Sequence, residues 1–261
     1  MEDVSVVIPT LNAARTLHDC LESIAIQSVP KCEVIVVDSY SSDDTPRIAE
    51  RYGRVIQADS GMTEARYIGA KAAHSRYVLN LDSDQHLLPH AIVRALEESK
   101  AMVVLGEQGV GEGLVAWVNQ REKERSQKDW SVNVDPASGA LRPRFYEREL
   151  LIESLESIPR RIRLIRPCPY AEDSLIFTEA RKRSSSVGFV PNAILHHEET
   201  SVGVYWKKWI RYGRAAKFYR GTPYEYLVRQ RSIGRLARPA GVIGLTAAAL
   251  RGLPFLLGYY S

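Results

Sequence analysis

Along the first hundred residues, short apolar runs alternate with amphipathic stretches. Residues 4–8 are an apolar, β-rich run stopped by Pro9, which predicts a buried strand. From 13 to 27 the apolar positions Leu17, Leu21, Ile24 and Ala25 recur at helical spacing. A second strand is expected over 33–37, ending in Asp38. Asp43 and Asp44 then precede a helix from 46 to 52, with Pro46 in its first turn. A short strand near Val55, a helix over 61–73, a strand over 77–81, a helix over 88–100 and a strand over 101–105 complete the series. Such alternation predicts an α/β fold, a mostly parallel sheet with helices on both faces.

Beyond Gly106 the pattern loosens. G-E-Q-G-V-G-E-G at 106–113 reads as a flexible loop. Residues 114–128 suggest a charged helix, 139–146 a strand-like run, 147–156 and 174–182 helices, with a strand pair through His197. From 202 to 219, Tyr205, Trp206, Trp209, Ile210, Gly213 and Ala216 share a helical face, with Lys207, Lys208, Arg211 and Arg214 largely opposite. That is the pattern of a helix in a membrane interface; packing the aromatics on the chain's own domain is the alternative. The stretch 240–261 carries one charge, Arg251, and is near the length of a span. Gly252 and Pro254 interrupt it, so a re-entrant or surface-lying segment is as well supported as a span.

Charge sharpens the division. Residues 201–238 hold ten Lys/Arg and one acid, while 1–200 carry a net −6. Two regions are therefore expected: a catalytic-type domain over 1–200 and a basic, membrane-associating tail over 201–261. A block so basic implies an anionic partner, and the apolar stretch after it favours a membrane surface over nucleic acid. Three cysteines, Cys20, Cys32 and Cys168, form no CxxC and no even framework. Taken as reduced, with an acidic N-terminus that enters a strand at once, they suggest the cytoplasmic side of the cell membrane.

The candidate chemistry sits at strand ends. Thr10 and Asn12, then Asp38, then Asp59 and Ser60 suit a nucleotide lying across the sheet. After 77–81 come Asp82 and Asp84, whose i, i+2 spacing turns both carboxylates one way. Such a pair suits a hard divalent cation held together with substrate phosphates, although Asp-Ser-Asp equally suits a helix cap. No G-x-G-x-x-G follows the first strand and no P-loop lysine is present, which excludes both nucleotide fingerprints. Nucleotidyltransferases would show a Gly- and Lys/Arg-rich loop where this chain has T-L-N-A-A-R.

Several runs, in order, resemble the inverting glycosyltransferases of family 2, which have the GT-A fold. They are V-V-I-P-T-L-N-A-A-R-T-L (6–17), V-V-D-S-Y-S-S-D-D-T (36–45), S-G-M-T-E-A-R-Y-I-G-A-K-A-A (60–73), L-D-S-D (81–84), A-E-D-S-L (171–175) and P-N-A-I-L-H-H (191–197). The resemblance implies that Pro9, Thr10, Asn12 and Asp38 hold base and ribose, and that Arg66 meets the nucleotide or its diphosphate. Asp82 and Ser83 would reach the donor. Asp84 and His197, with Asp82, would ligate Mn²⁺ or Mg²⁺, and Asp173 would be the catalytic base. Gln85, where relatives have another acid, Glu172 and His196 are secondary candidates. The implied activity is transfer of a hexose, mannose or glucose type, from a nucleotide-sugar donor to a hydroxyl of a lipid-linked acceptor. A polyprenyl or dolichyl phosphate is the alternative acceptor. A membrane- or nucleic-acid-binding module is the non-enzymatic alternative.

Overall fold

A computed structural model describes residues 4–28, 32–130, 141–229 and 241–261. Its centre is an eight-stranded sheet. The strands are β1 (Val4–Thr10), β2 (Cys32–Asp38), β3 (Arg54–Gln57), β4 (Tyr77–Asn80), β5 (Gln85–Leu87), β6 (Met102–Val110), β7 (Pro143–Glu147) and β8 (Val187–His197). In space they run β3-β2-β1-β4-β7-β6-β8-β5. β3, β2, β1 and β4 are mutually parallel, as are β6 and β8. β7 runs antiparallel between β4 and β6, and β5 is an antiparallel edge. The expected mostly parallel sheet is present, with two reversed strands.

Alternation along the strands divides the core in two. Val7, Ile35, Val37 and Val78 face one cluster; Val6, Ile8, Val36 and Leu79 face the other. The first is covered by α3 (Met62–Ala72), α6 (Arg148–Ser157) and α8 (Glu172–Arg183). The second is covered by α1 (Ala14–Ala25), which buries Leu17, Cys20, Leu21 and Ile24, and by α4 (Ala91–Glu97). α3 lies hard against β1, since a Cβ on Gly69 would meet Val7 Cγ1 at 2.3 Å. That contact fixes the height of Arg66, one turn earlier on the same helix. Short helices α2 (Thr45–Ala49) and α7 (Arg160–Arg163) fill connections, and α5 (Gly113–Lys128) follows β6.

Two departures from the sequence reading shape the site. The glycine-rich 106–113 run is a loop only at Gly111 and Glu112: β6 continues to Val110, pairing with β8 from Glu107 to Val110. The expected strand pair through His197 is a single strand, β8, with a register shift opposite Leu105 and Glu107. Part of the strand-like run from 139 lies outside the described residues.

The tail folds back on the domain. α9 (Val202–Ala216) is followed by a 3₁₀ turn and α10 (Glu225–Val228); later come α11 (Gly241–Ala247), a π-helical turn (Ala248–Gly252) and α12 (Leu253–Tyr260). α12 lies beside α9 in the same direction. Arg251 reaches Tyr205, Phe255 meets Trp209 and Arg220 meets Tyr259. A Cβ on Gly213 would strike Phe255 O at 2.1 Å and one on Gly258 Ile210 O at 1.9 Å, so the backbones touch there. The aromatic face expected in a membrane interface is therefore turned inward: Trp209 packs between the main core and α12. Among the described residues no helix is long and apolar enough to cross a membrane. The arginine-rich segment 230–240 lies outside the described residues.

Candidate active site

The carboxyl ends of β1, β2 and β4, the start of α8 and the end of β8 surround one region. Thr10 closes β1 and Asp38 closes β2. The Asp38 carboxylate is buried and accepts from Thr10 Oγ1 (3.0 Å), Ser41 Oγ (2.5 Å) and Ser41 N (2.9 Å). Asn12 has a left-handed φ of 51° and accepts from Ser42 N at 2.9 Å, while its own N–H reaches Ser41 Oγ at 2.8 Å. Asp38 and Asn12 thus shape the two strand-end loops, with Pro9 buried beneath. Leu11 and Tyr40 stand exposed at the loop tips.

Asp82 follows β4 and is gripped by two arginines. Arg66 Nη2 lies 2.7 Å from one carboxylate oxygen and Arg144 Nη1 3.2 Å from the other. The same guanidiniums approach Asp173, each at 3.8 Å, and Arg66 Nε lies 2.8 Å from Glu172. Arg66 is only 1% exposed, its guanidinium taken up by Asp82, Glu172 and Asp173. It is a buried strut joining the Asp82 loop to the first turn of α8. Glu172 is buried too; burial first, with Asp173 and Asp82 adding to it, pushes its carboxyl up against the pull of Arg66. Asp173 is less enclosed, its side chain 33% exposed.

Gln85 is fully buried. Its Oε1 accepts from Asp82 N (3.1 Å) and its Nε2 donates to Glu107 Oε1 (3.3 Å), which closes the Asp82–Gln85 turn. An acid here would set a second carboxylate against Glu107, so the amide suits the place. Glu107 itself meets Arg144 Nε (3.0 Å), Lys123 Nζ (3.0 Å) and His196 Nδ1 (3.0 Å). Arg144, Glu107 and Lys123 escaped the sequence reading. Arg144 stood in a stretch read only as strand-like, Glu107 in a presumed loop, and Lys123 in an ordinary charged helix.

Asp84 faces a histidine, but not the one expected. His196 Nε2 lies 3.7 Å from Asp84 Oδ2. His197 projects to the other side of β8, exposed, with its ring 4.7 Å from that of His86. Protein crowding works to raise the Asp84 carboxyl, yet His196 and then Lys208 bring it down to about 2. Burial works against the His196 imidazolium, but Asp84 and Glu107 on either side hold it up at about 9.

A divalent cation here would be held by Asp84 and by His196 once its Nε2 proton is displaced. Among the described residues no three His, Cys, Asp or Glu side chains form a cluster able to hold a metal by themselves. Asp84 is 46% exposed, and His196 turns Nε2 toward it while Glu107 takes Nδ1, the outer-carboxylate arrangement that orients metal-binding imidazoles. One carboxylate and one imidazole leave positions for substrate phosphates, as such ions commonly require.

The order of motifs and this geometry agree with a comparison of sequences. The profile of "Glycosyl transferase family 2" matches residues 5–153, more than half of the chain. The chain belongs to this family. The uncharacterized glycosyltransferase EpsJ of Bacillus subtilis is 32% identical over 104 residues, 37% of this chain and 30% of EpsJ. This chain spans between 27% and 40% of the length of the three curated relatives it matches first. Among solved structures, S. aureus TarS 1-349 in complex with UDP-GlcNAc is similar, with a TM-score of 0.60 and 19% identity over 99% of this chain and 82% of that one. Mannosyltransferase PcManGT from Pyrobaculum calidifontis, in complex with GDP-Man and Mn²⁺, has a TM-score of 0.59 and 22% identity, covering 95% and 73%. The shared architecture is the GT-A fold, as the motifs implied.

Proposed function

We propose that this chain transfers a hexose from a nucleoside-diphosphate sugar to a hydroxyl of a membrane-associated glycan acceptor, with inversion. The observation that carries the reading is the double brace of Arg66 and Arg144. Both span Asp82 and Asp173, so the donor-side carboxylate and the open one keep a set separation. A sugar hydroxyl is barely acidic in water and needs a base within hydrogen-bond reach. Asp173 would take that proton as the hydroxyl oxygen bonds to the anomeric carbon and the diphosphate departs from the opposite face. A polyprenyl phosphate, already an anionic nucleophile, would leave Asp173 without this task.

Leu11 and Tyr40 offer apolar surface at the strand ends for a nucleobase. A divalent cation held by Asp84 and His196 would neutralise charge on the leaving diphosphate. TarS with UDP-GlcNAc and PcManGT with GDP-Man and Mn²⁺ support both a nucleotide-sugar donor and the cation, and leave glucose-type and mannose-type hexoses open.

The acceptor's membrane association is argued from the tail. α9 turns Lys207, Arg211 and Arg214 outward, the 3₁₀ turn after it Phe218, and α12 Leu253, Leu257 and Tyr260. Cations beside exposed aliphatic and aromatic groups suit the cytoplasmic face of an anionic membrane.

A panel of UDP- and GDP-sugars, each with Mn²⁺ or EDTA and a lipid-linked oligosaccharide, tests the reading through nucleotide release and glycan mass. One donor is expected to be consumed, only with metal. Full activity in EDTA removes the cation, and no turnover of any donor removes the function.

A further inference from the structure

Arg251 is the one charge in the apolar stretch 240–261, and it does not face solvent. Its side chain is 14% exposed and sits in the π-helical turn between α11 and α12. It pairs with Glu122 and donates to Asn119 Oδ1, both on α5, and its Nε donates to Tyr205 Oη on α9 at 2.5 Å. Tyr205 in turn donates to Asn119 Oδ1 at 2.9 Å. The same Asn119 donates through Nδ2 to Glu198 at 2.7 Å, and Glu198 holds Lys123 at 2.6 Å. Lys123 stands 3.0 Å from Glu107 and 2.7 Å from His196 Nδ1. An unbroken polar chain therefore runs from the tail to the imidazole that faces Asp84.

We propose that Arg251 is a positioning residue for the Asp84–His196 pair, acting through Asn119, Glu198 and Lys123. This rests on the reading of that pair as cation ligands. Two independent features point to it. A buried guanidinium is costly unless fully paired, which ties the tail to the single position where Glu122, Asn119 and Tyr205 all accept. The π turn, a departure from α geometry often seen at functional sites, lies at the residues that carry Arg251. Arg251 and Tyr205 together hold Asn119 Oδ1, so loss of Arg251 leaves the amide one partner on that side, and Glu198 and Lys123 follow any shift it makes. The partners that orient a metal-binding imidazole typically matter by 10- to 100-fold in affinity.

The test uses the full chain. Arg251→Met and Asn119→Ala break the chain at its tail end and its middle; Asn119→Ala keeps the Arg251–Glu122 pair. Phe255→Ala loosens the packing of α12 without touching a polar link. Mn²⁺ affinity is read by electron paramagnetic resonance of the free ion. The ring ¹⁵N shifts of His196 are read at one fixed pH without metal, and Tm is read for each variant. Arg251→Met and Asn119→Ala are expected to weaken Mn²⁺ binding about tenfold and to move the His196 Nδ1 shift. Phe255→Ala is expected to lower Tm while leaving both readouts within about twofold of the parent. If the parent binds no Mn²⁺, the cation reading fails, and the His196 shifts still decide the role of Arg251. Unchanged affinity and shifts in Asn119→Ala overturn the proposal, as does an equal change in Phe255→Ala. Should Arg251→Met not fold, Asn119→Ala carries the test alone.

Discussion

At one end of the site Asp82 and Asp173 are locked between Arg66 and Arg144, buried guanidiniums with carboxylates on several sides. At the other, Asp84 stands half in solvent with His196 beside it and Lys208 contributing field from α9. The first end is complete without substrate, because every charge there has protein partners. The second end has an open coordination side, which a cation and phosphates would fill. On the proposed function, a rigid base would stand beside an adaptable phosphate site, a division that suits a leaving group carrying most of the charge.

Removing the proposed proton acceptor should cost most. Asp173→Asn preserves shape and is expected to lower kcat by about 10³-fold, the range for a positioned general base, with donor KM little changed. Steady-state kinetics with a hydroxyl acceptor check this. Undiminished kcat would mean that the braced carboxylate has no chemical task.

Arg144→Met attacks the closed end directly. It leaves Asp82, Glu107 and Asp173 short of a cation, and breaking buried pairs costs about 3 kcal/mol or more. A urea midpoint well below that of the parent is expected. An unshifted midpoint would show that the closed end is not held by charge. At the open end, His196→Ala should weaken Mn²⁺ binding by about 10- to 100-fold and His197→Ala hardly at all, read by calorimetry with Mn²⁺ and UDP or GDP. The reverse order would return the ligand role to His197.

The smallest effect lies away from both ends. Burial works to raise the Glu33 carboxyl, but His74 N–H, Ser5 Oγ and the His74 ring outweigh it and hold the carboxyl below its usual range. A depressed carboxylate adds stability above its unfolded pKa and loses it as pH falls through the folded one. Glu33→Gln should therefore be less stable than the parent at pH 7, by about half a kcal/mol or less, and the gap should close toward pH 3. A gap that widens on acidification would contradict the sign.

Much of this was legible in the chain, and the misses have physical causes. Alternating apolar runs placed β1, β2 and β4, and hence Asp38, Asp82 and Asp84, because buried strands announce themselves. The enclosure of Arg66 by Asp82, Glu172 and Asp173 was not legible, since a sequence does not distinguish an arginine reaching out from one so enclosed. His196 and His197 differ only in strand phase. That phase depends on the shift in β8, where Leu105 pairs with Val190 but Glu107 with Ile194, and on Asn192 at φ 51°. Glycines at 106 and 109 hid the second half of β6, which is held by pairing with β8. Helical spacing found the aromatic face of α9 correctly but did not say that α12 would cover it.

That last contact has a consequence for synthesis. Domains assemble from the N-terminus as the chain emerges, at about 5–20 residues per second. Tyr205, Trp209 and Gly213 therefore emerge well before Arg251, Phe255 and Gly258, which complete their surroundings. For those seconds the nascent chain displays an uncovered aromatic ridge, the kind of surface that chaperones and nearby bilayers seize first.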